Sequence, residues 1–259
     1  RIRSNAVTDH APLRRANVIG LGLIGGSVAL ALRERGWHVS GDDLDAATAR
    51  AALDRGVVNA LELDTDAEIT FVAVPVLVAV DQVKRALAET NGVVTDVGSV
   101  KAAVCAAASD TRFVGGHPMA GSELDGLDGA QADLFEGAVW VLTPGVDSDD
   151  TVFAGVASVV ASFGAEVVAL SPERHDQLVA VVSHVPHLTA ATLMGLASER
   201  AEEHAALLRL AAGGFRDMTR VASGRPEIWL DICAENRTAI VGVLDQLIGG
   251  AQAQHLSYE

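Results

Sequence analysis

The chain has 259 residues, 49% of them hydrophobic, a formal net charge of −15 and two cysteines, Cys105 and Cys233. That length allows one large domain or two smaller ones with a sizeable core, and the acidic balance argues against nucleic acid and anionic membranes as partners. No apolar run reads as an uninterrupted membrane span, the polar start Arg1-Ile2-Arg3-Ser4-Asn5 has no secretory pattern, and cysteines without metal-ligand spacing or a disulfide framework suit a reducing cytoplasm.

Residues 1–15 read as an arm. The stretch Val18-Ile19-Gly20-Leu21-Gly22-Leu23-Ile24-Gly25-Gly26-Ser27 follows, an apolar strand, a glycine turn and a helix start. The spacing G-x-G-x-x-G falls on Gly20, Gly22 and Gly25. The first allows the tight turn, the second lets backbone approach a pyrophosphate, and the third lets helix pack closely on strand. The helix N-terminus at Leu23 and Ile24 would then face the phosphates. Val28, Ala31 and Leu32 keep helical spacing, and Gly36 stops the helix. A second strand ends in Val39-Ser40-Gly41-Asp42-Asp43, where a ribose-binding acid belongs. The alternative is a tight strand–helix turn with no cofactor.

Asp45 reads as the N-cap of a helix reaching Gly56. Strands follow at 69–74, closed by Pro75, at 93–96, at 112–114, at 138–142 and at 166–170. Helices near 76–87, after Lys101 and near 151–163 alternate with them. The strand at 112–114 opens into Gly115-Gly116-His117-Pro118-Met119-Ala120-Gly121. This alternation predicts an α/β fold with a mostly parallel, doubly wound Rossmann-type sheet. The pattern changes at Ser171-Pro172-Glu173, which suit an N-cap, a first helical position and a positive helix end. From there the chain reads as helices: a long one kinked at Pro186, a break at Gly213-Gly214, and a last one over 226–248. The expectation is a dinucleotide-binding domain over 1–170 and an all-α domain over 171–259. Helices apolar on more than one face would bury that surface against another subunit.

Ligands of open α/β sheets bind beyond the carboxyl ends of the strands, and the polar residues of this chain collect there. The second strand supplies Asp43, the third Val74 and Pro75, the fourth Asp96, Ser99 and Lys101, and the fifth His117. Ser99 and Asp96 also suit plain turn chemistry. His117, between glycines and Pro118 rather than on an apolar face, is the candidate base. A neutral imidazole beside a nicotinamide can take an alcohol's proton while hydride leaves carbon. In the helical half, Ser183-His184-Val185-Pro186-His187 puts two histidines on one face. No nearby acid or cysteine completes a metal set, so no metal is expected; substrate contact and a capped kink are the readings. Arg216 and Arg220, in Gly214-Phe215-Arg216-Asp217-Met218-Thr219-Arg220, precede Glu227-Ile228-Trp229-Leu230-Asp231. They suit either a fork onto a carboxylate or surface pairing with Asp217 or Asp231.

Taken together, the chain resembles the TyrA family, the prephenate and arogenate dehydrogenases of tyrosine biosynthesis, over about residues 17–237. The glycine turn is widely shared. More specific are Thr95-Asp96-Val97-Gly98-Ser99-Val100-Lys101, Gly116-His117-Pro118-Met119-Ala120-Gly121, Ser183-His184-Val185-Pro186-His187, and Phe215-Arg216-Asp217-Met218-Thr219-Arg220 through Trp229, in that order. The resemblance implies NAD-dependent oxidative decarboxylation of prephenate to 4-hydroxyphenylpyruvate, with conversion of arogenate to tyrosine as the alternative. It implies that His117, with Ser99 alongside, takes the hydrogen bond or proton of the 4-hydroxyl. His187 and Arg220 would hold substrate carboxylates, with His184 as a further contact. It also implies a homodimer through the helical half, with each site near the seam. The chain departs at Asp42, where members often carry a bulky residue; Asp43 is favoured for the ribose, and either acid would repel a 2′-phosphate. Rival readings are another nicotinamide-dependent hydroxyacid dehydrogenase, or a catalytically silent NAD(H)-binding redox sensor, which would need none of Ser99, His117 and Arg220.

Overall fold

In the computed structural model, which describes residues 13–257 except 123, 146, 147, 205, 224 and 225, the glycine stretch joins β1 (Arg15–Ile19) to α1 (Leu23–Glu34). Most of the arm expected over residues 1–15 lies outside the described residues. After Arg15, β1 is buried on both faces, which is why it reads as a continuous apolar run rather than an alternating one. The chain continues through β2 (His38–Asp42), α2 (Ala46–Asp54), the short β3 (Ala60–Leu61), β4 (Ile69–Val72), α3 (Val76–Glu89), β5 (Val93–Asp96) and α4 (Ala102–Ala107). It then forms β6 (Phe113–Pro118), β7 (Val139–Pro144), α5 (Asp150–Ser162) and β8 (Glu166–Ala169). Asp45 caps α2 by accepting from the Ala47 amide, as its residue type predicts.

The eight strands form one sheet in the order β3-β2-β1-β4-β5-β6-β7-β8. Every neighbouring pair is parallel except β6 and β7. The carboxyl ends of β1, β2, β4, β5 and β6 therefore share one rim, and β7 runs back from it. Two features differ from the sequence expectation. The edge strand β3 is a two-residue piece with no periodicity to betray it. The strand expected to end at 114 continues to Pro118, because β7 registers against it, Gly116 opposite Leu142 and His117 opposite Val141. A side chain at Gly116 would bring its Cβ within 2.6 Å of the Asp96 carbonyl oxygen, so the close approach of β5 demands glycine there.

The core lies against the face of the sheet covered by α1 and α5. Phe71, Phe135, Trp140 and Phe163 are fully buried there and meet at ring separations of 4.9–6.3 Å. Burying such side chains stabilises the fold by about 1.5–3 kcal/mol each, enough together to hold the rim rigid.

Beyond β8 the described residues are helical: α6 (Pro172–Val179), a one-turn π-helix (Ala180–His184), α7 (Val185–Glu203), α8 (Leu207–Leu210), α9 (Gly213–Thr219), a 3-10 turn (Arg220–Ser223), α10 (Pro226–Glu235) and α11 (Arg237–Ser257). Ser171 caps α6 with its hydroxyl, and Pro172 opens it. The distortion expected at Pro186 takes a definite form. Pro186 has no N–H for the preceding turn, and the helix widens before it, so that the Val185 N–H donates to the Ala180 carbonyl. Gly213 and Gly214 begin α9 rather than merely breaking a helix, and the single last helix expected over 226–248 is two, parted at Asn236. Contrary to the sequence expectation, the run Pro172–Glu202 is long and apolar enough, by length and composition alone, to cross a membrane. Its buried side chains include His175, Asp176, His184 and His187, and all four are hydrogen-bonded to protein groups.

Candidate active site

The rim is built first at the glycine turn. Gly20 has φ +87°, and a Cβ there would fall 2.2 Å from the Ala73 carbonyl oxygen, so only glycine lets β1 turn beneath β4. Gly22 is the N-cap of α1 and brings no side chain to its first amides, which leaves the N–H groups of the turn holding Leu23, Ile24 and Gly25 for an anion. A Cβ on Gly22 would meet no protein atom within 4 Å. No protein neighbour requires glycine there, as expected of a position kept bare for a ligand, and the turn fits a dinucleotide pyrophosphate.

The two acids after β2 have different surroundings. Asp43 accepts from the Leu21 amide at 2.7 Å and the Asp45 amide at 2.9 Å, which fixes its carboxylate at the glycine turn. Asp42 is paired with Arg85 of α3 at 2.6 Å. The ambiguity between them is thereby reduced: Asp43 is the acid held beside the turn. Val74 and Pro75 lie across from it, with Pro75 as the exposed N-cap of α3.

Asp96, expected at the nucleotide, has its carboxylate consumed by the protein. It is 1% exposed, ion-paired with the fully buried Lys101, and accepts from the Gly98 and Gly116 amides at 2.9 and 3.1 Å. A buried ion pair survives only when its remaining hydrogen-bonding capacity is filled. Here the filling ties β5 to the residue before His117. Ser99, in the loop after β5, is partly buried, and its hydroxyl has no hydrogen-bond partner among the described residues.

His117 is not alone. Its Nδ1 lies 2.8 Å from Nε2 of His175, whose Nδ1 lies 2.7 Å from Oδ1 of Asp176. The Asp176 carboxylate also accepts from the Lys101 amide at 2.8 Å and the Ala102 amide at 2.9 Å, at the start of α4. Proton positions follow in sequence. A carboxylate accepts, so His175 carries its proton on Nδ1 and presents a bare Nε2. His117 must then donate from Nδ1, which leaves its own Nε2 as a lone pair. Burial chiefly, then the neighbouring His175, Lys101 and His184, hold the His117 pKa well below 6.5. The ring is therefore a neutral acceptor at neutral pH, in a fixed tautomer. His175 and Asp176 were missed in the sequence; a His-Asp pair one turn inside a strongly capped helix was the available signal.

The helical half brings the expected pair together. His184 is 1% exposed, and burial lowers its pKa to about 4. His187 is 7% exposed, donates to the Val221 carbonyl at 2.9 Å, and stacks on Trp229 with ring centroids 3.5 Å apart and planes 7° apart. Burial lowers its pKa too, against the raising effect of that carbonyl. Arg220 opens the 3-10 turn that carries Val221, and is exposed. Among the described residues no group of three His, Cys, Asp or Glu side chains could hold a metal ion.

The chain matches two family models in succession, "Prephenate dehydrogenase, nucleotide-binding domain" over residues 28–169 and "Prephenate dehydrogenase, dimerization domain" over residues 171–257. It is 37% identical to the prephenate dehydrogenase of Bacillus subtilis, over 88% of this chain and 66% of that one. Among solved structures, prephenate dehydrogenase of Aquifex aeolicus, in complex with hydroxyphenyl propionate and NAD+, superposes with a TM-score of 0.87 at 28% identity, over 94% of this chain and 90% of that one. Arogenate dehydrogenase of Synechocystis superposes with a TM-score of 0.77 at 33% identity, over 93% of each chain. The chain spans slightly less than two thirds of the curated Bacillus relative, 66% of its length. With the two family models matched one after the other along most of its length, on a Rossmann-type sheet followed by helices, the chain belongs to the prephenate dehydrogenase family.

Proposed function

We propose that this protein is an NAD-dependent prephenate dehydrogenase of tyrosine biosynthesis, converting prephenate to 4-hydroxyphenylpyruvate and CO2. The observation that carries the reading is the chain Asp176–His175–His117, which leaves a neutral nitrogen lone pair on the rim that also holds the glycine turn. Support comes also from the Aquifex relative, whose structure holds NAD+ and a hydroxyphenyl acid. Bound NAD+ would supply the acceptor for the hydride that leaves C4 of the ring.

The protein's own part is alignment and proton handling. Nε2 of His117 takes the proton of the 4-hydroxyl, which strengthens electron release from C4 as the ring carboxylate leaves, and gives it back to the oxygen once the ring is aromatic. Ser99, with a hydroxyl uncommitted among the described residues, orients that same oxygen. Arg220 holds a carboxylate, with His184 as a further donor; His187, whose Nδ1 proton goes to the Val221 carbonyl, joins them only by taking up a second proton on Nε2. A dianion entering a protein of net charge −15 needs such local donors. The NAD+ site is the turn of Gly20, Gly22, Leu23, Ile24 and Gly25, with Asp43 at the ribose and Val74 and Pro75 beside it. The boundary at 170/171 divides a nucleotide half from a helical half, and Asp176 bridges them through α4. The protein acts as a cytoplasmic homodimer. Exposed Leu196, Leu210, Met218 and Leu230 on the helical half support that assembly, and its two thiols are free.

Asp43→Ala is expected to weaken NAD+ binding roughly 10–100-fold, the scale of a lost hydrogen bond to a charged group, and to erase most of the preference over NADP+. Titration of cofactor fluorescence measures both; equal affinity for the two cofactors in the unaltered protein would contradict the role given to Asp43. Arg220→Ala is expected to raise KM for prephenate roughly 10–100-fold on the same scale, with NAD+ affinity unchanged. Arg220→Lys would recover only part of it, because an ammonium lacks the planar fork. Initial-rate kinetics decide, and an unaltered KM would remove Arg220 from the site. Side-by-side kcat/KM for prephenate and arogenate tests the whole reading. Prephenate is expected to be the better substrate, and turnover of neither would overturn it.

A further inference from the structure

Asn236, the residue between α10 and α11, is 4% exposed, and nothing above gives it a part in the reaction. Its amide nitrogen lies 2.8 Å from the Asp176 carbonyl oxygen and 3.1 Å from Nδ1 of His184. A backbone carbonyl can only accept, so the amide must turn its NH2 toward it; the flipped amide would set two acceptors face to face. The second hydrogen of that same nitrogen is then directed at His184 Nδ1, which must be unprotonated to receive it.

We infer that Asn236 is a positioning residue that fixes His184 as its Nε2–H tautomer, making this imidazole a standing neutral donor to substrate rather than a base. The donor role rests on the function proposed above; the tautomer does not. Trp229 lies seven residues before Asn236, two helical turns along the same face. The ring of His187 stacks on it, and the ring of His184 meets it nearly edge-on, at 6.1 Å and 83°. One helical face thus sets the planes of both histidines and the proton of one. The charged and titratable groups near His184 are Asp176 and His175 on α6 and His117 on β6. A protonated His184 would add a positive charge beside His117 and weaken it as a proton acceptor. A neutral donor avoids that, and its burial keeps it neutral.

The test is the two-bond proton–nitrogen spectrum of the full chain with 15N-labelled histidine, His184 being assigned through His184→Gln. The unaltered protein is expected to show His184 as Nε2–H, unchanged from neutral pH down to the region of its lowered pKa, about 4. Asn236→Asp exchanges the donor for an acceptor. His184 should then gain a proton on Nδ1, while His117 and His175 keep their patterns, because the Lys101 and Ala102 amides still hold the Asp176 carboxylate. KM for prephenate should rise about tenfold, with kcat changing less. An Nδ1–H pattern in the unaltered protein, or an unchanged His184 in folded Asn236→Asp, would overturn the inference. If Asn236→Asp does not fold, the spectrum of the unaltered protein decides alone. Failure to oxidise prephenate would overturn the proposed function and leave the tautomer assignment standing.

Discussion

His117→Asn is expected to lower kcat on prephenate by about 10²–10⁴-fold, the range for a lost acid–base group. Asparagine can still hydrogen-bond the 4-hydroxyl but cannot take its proton. KM should move less, since the proposed carboxylate contacts lie in the helical half, away from His117. The pH profile supplies a second signature. In the unaltered enzyme the base must be deprotonated, so the rate falls on the acid side of its pKa. Burial, His175, Lys101 and His184 all push that pKa down, so the acid limb should lie clearly below the ordinary histidine value of about 6.5. The limb should vanish in His117→Asn. A variant with near-normal kcat, or one that keeps the limb, would mean that another group is the base.

Asp176→Asn is expected to cost kcat about 10²-fold or more without removing any group that touches substrate. The reason is polarity. If the new NH2 faces His175, that ring must accept at Nδ1 and donate from Nε2. His117 then accepts at Nδ1 and carries its proton on Nε2, where the lone pair is needed. That NH2, in the Oδ1 place, also confronts the Lys101 amide, donor against donor; in the Oδ2 place it would confront the Ala102 amide and leave His175 its acceptor. Leaving such a buried pair unsatisfied costs about 1–3 kcal/mol of stability, so a lowered melting temperature should accompany the loss. NAD+ affinity should stay, because the glycine turn is untouched. Unchanged kcat in the folded variant would show that His117 finds its tautomer without help.

The parts of this site that were legible in the sequence are those set by local backbone. The glycine turn announces itself because its spacing is local: Gly20 has a positive φ, and Gly25 packs against the Gly20 carbonyl five residues back. His117 stood out because glycines forced by close strand approach precede it. The relay was not legible: His175 lies 58 residues from His117, and a His-Asp pair in a polar first turn reads as a solvated helix start until the fold presses it against α4. Asp96 misled for the opposite reason. An acid at a strand end suggests a ligand, and only the burial of Lys101 reveals an internal ion pair. A lysine within the apolar segment after the strand was the clue. The π-turn and the break at Asn236 follow from tertiary packing around Pro186 and His184 and leave no periodic trace.

The most direct measurement mixes the protein with prephenate and NAD+ and follows reduced nicotinamide and released CO2 together. The account predicts that both appear at the same rate, one CO2 for each hydride, because the hydride and the carboxylate leave one ring as it becomes aromatic, while His117 takes the hydroxyl proton and returns it to the phenol oxygen. Reduction of NAD+ without CO2, or no reduction with prephenate or arogenate at saturating cofactor, would contradict it.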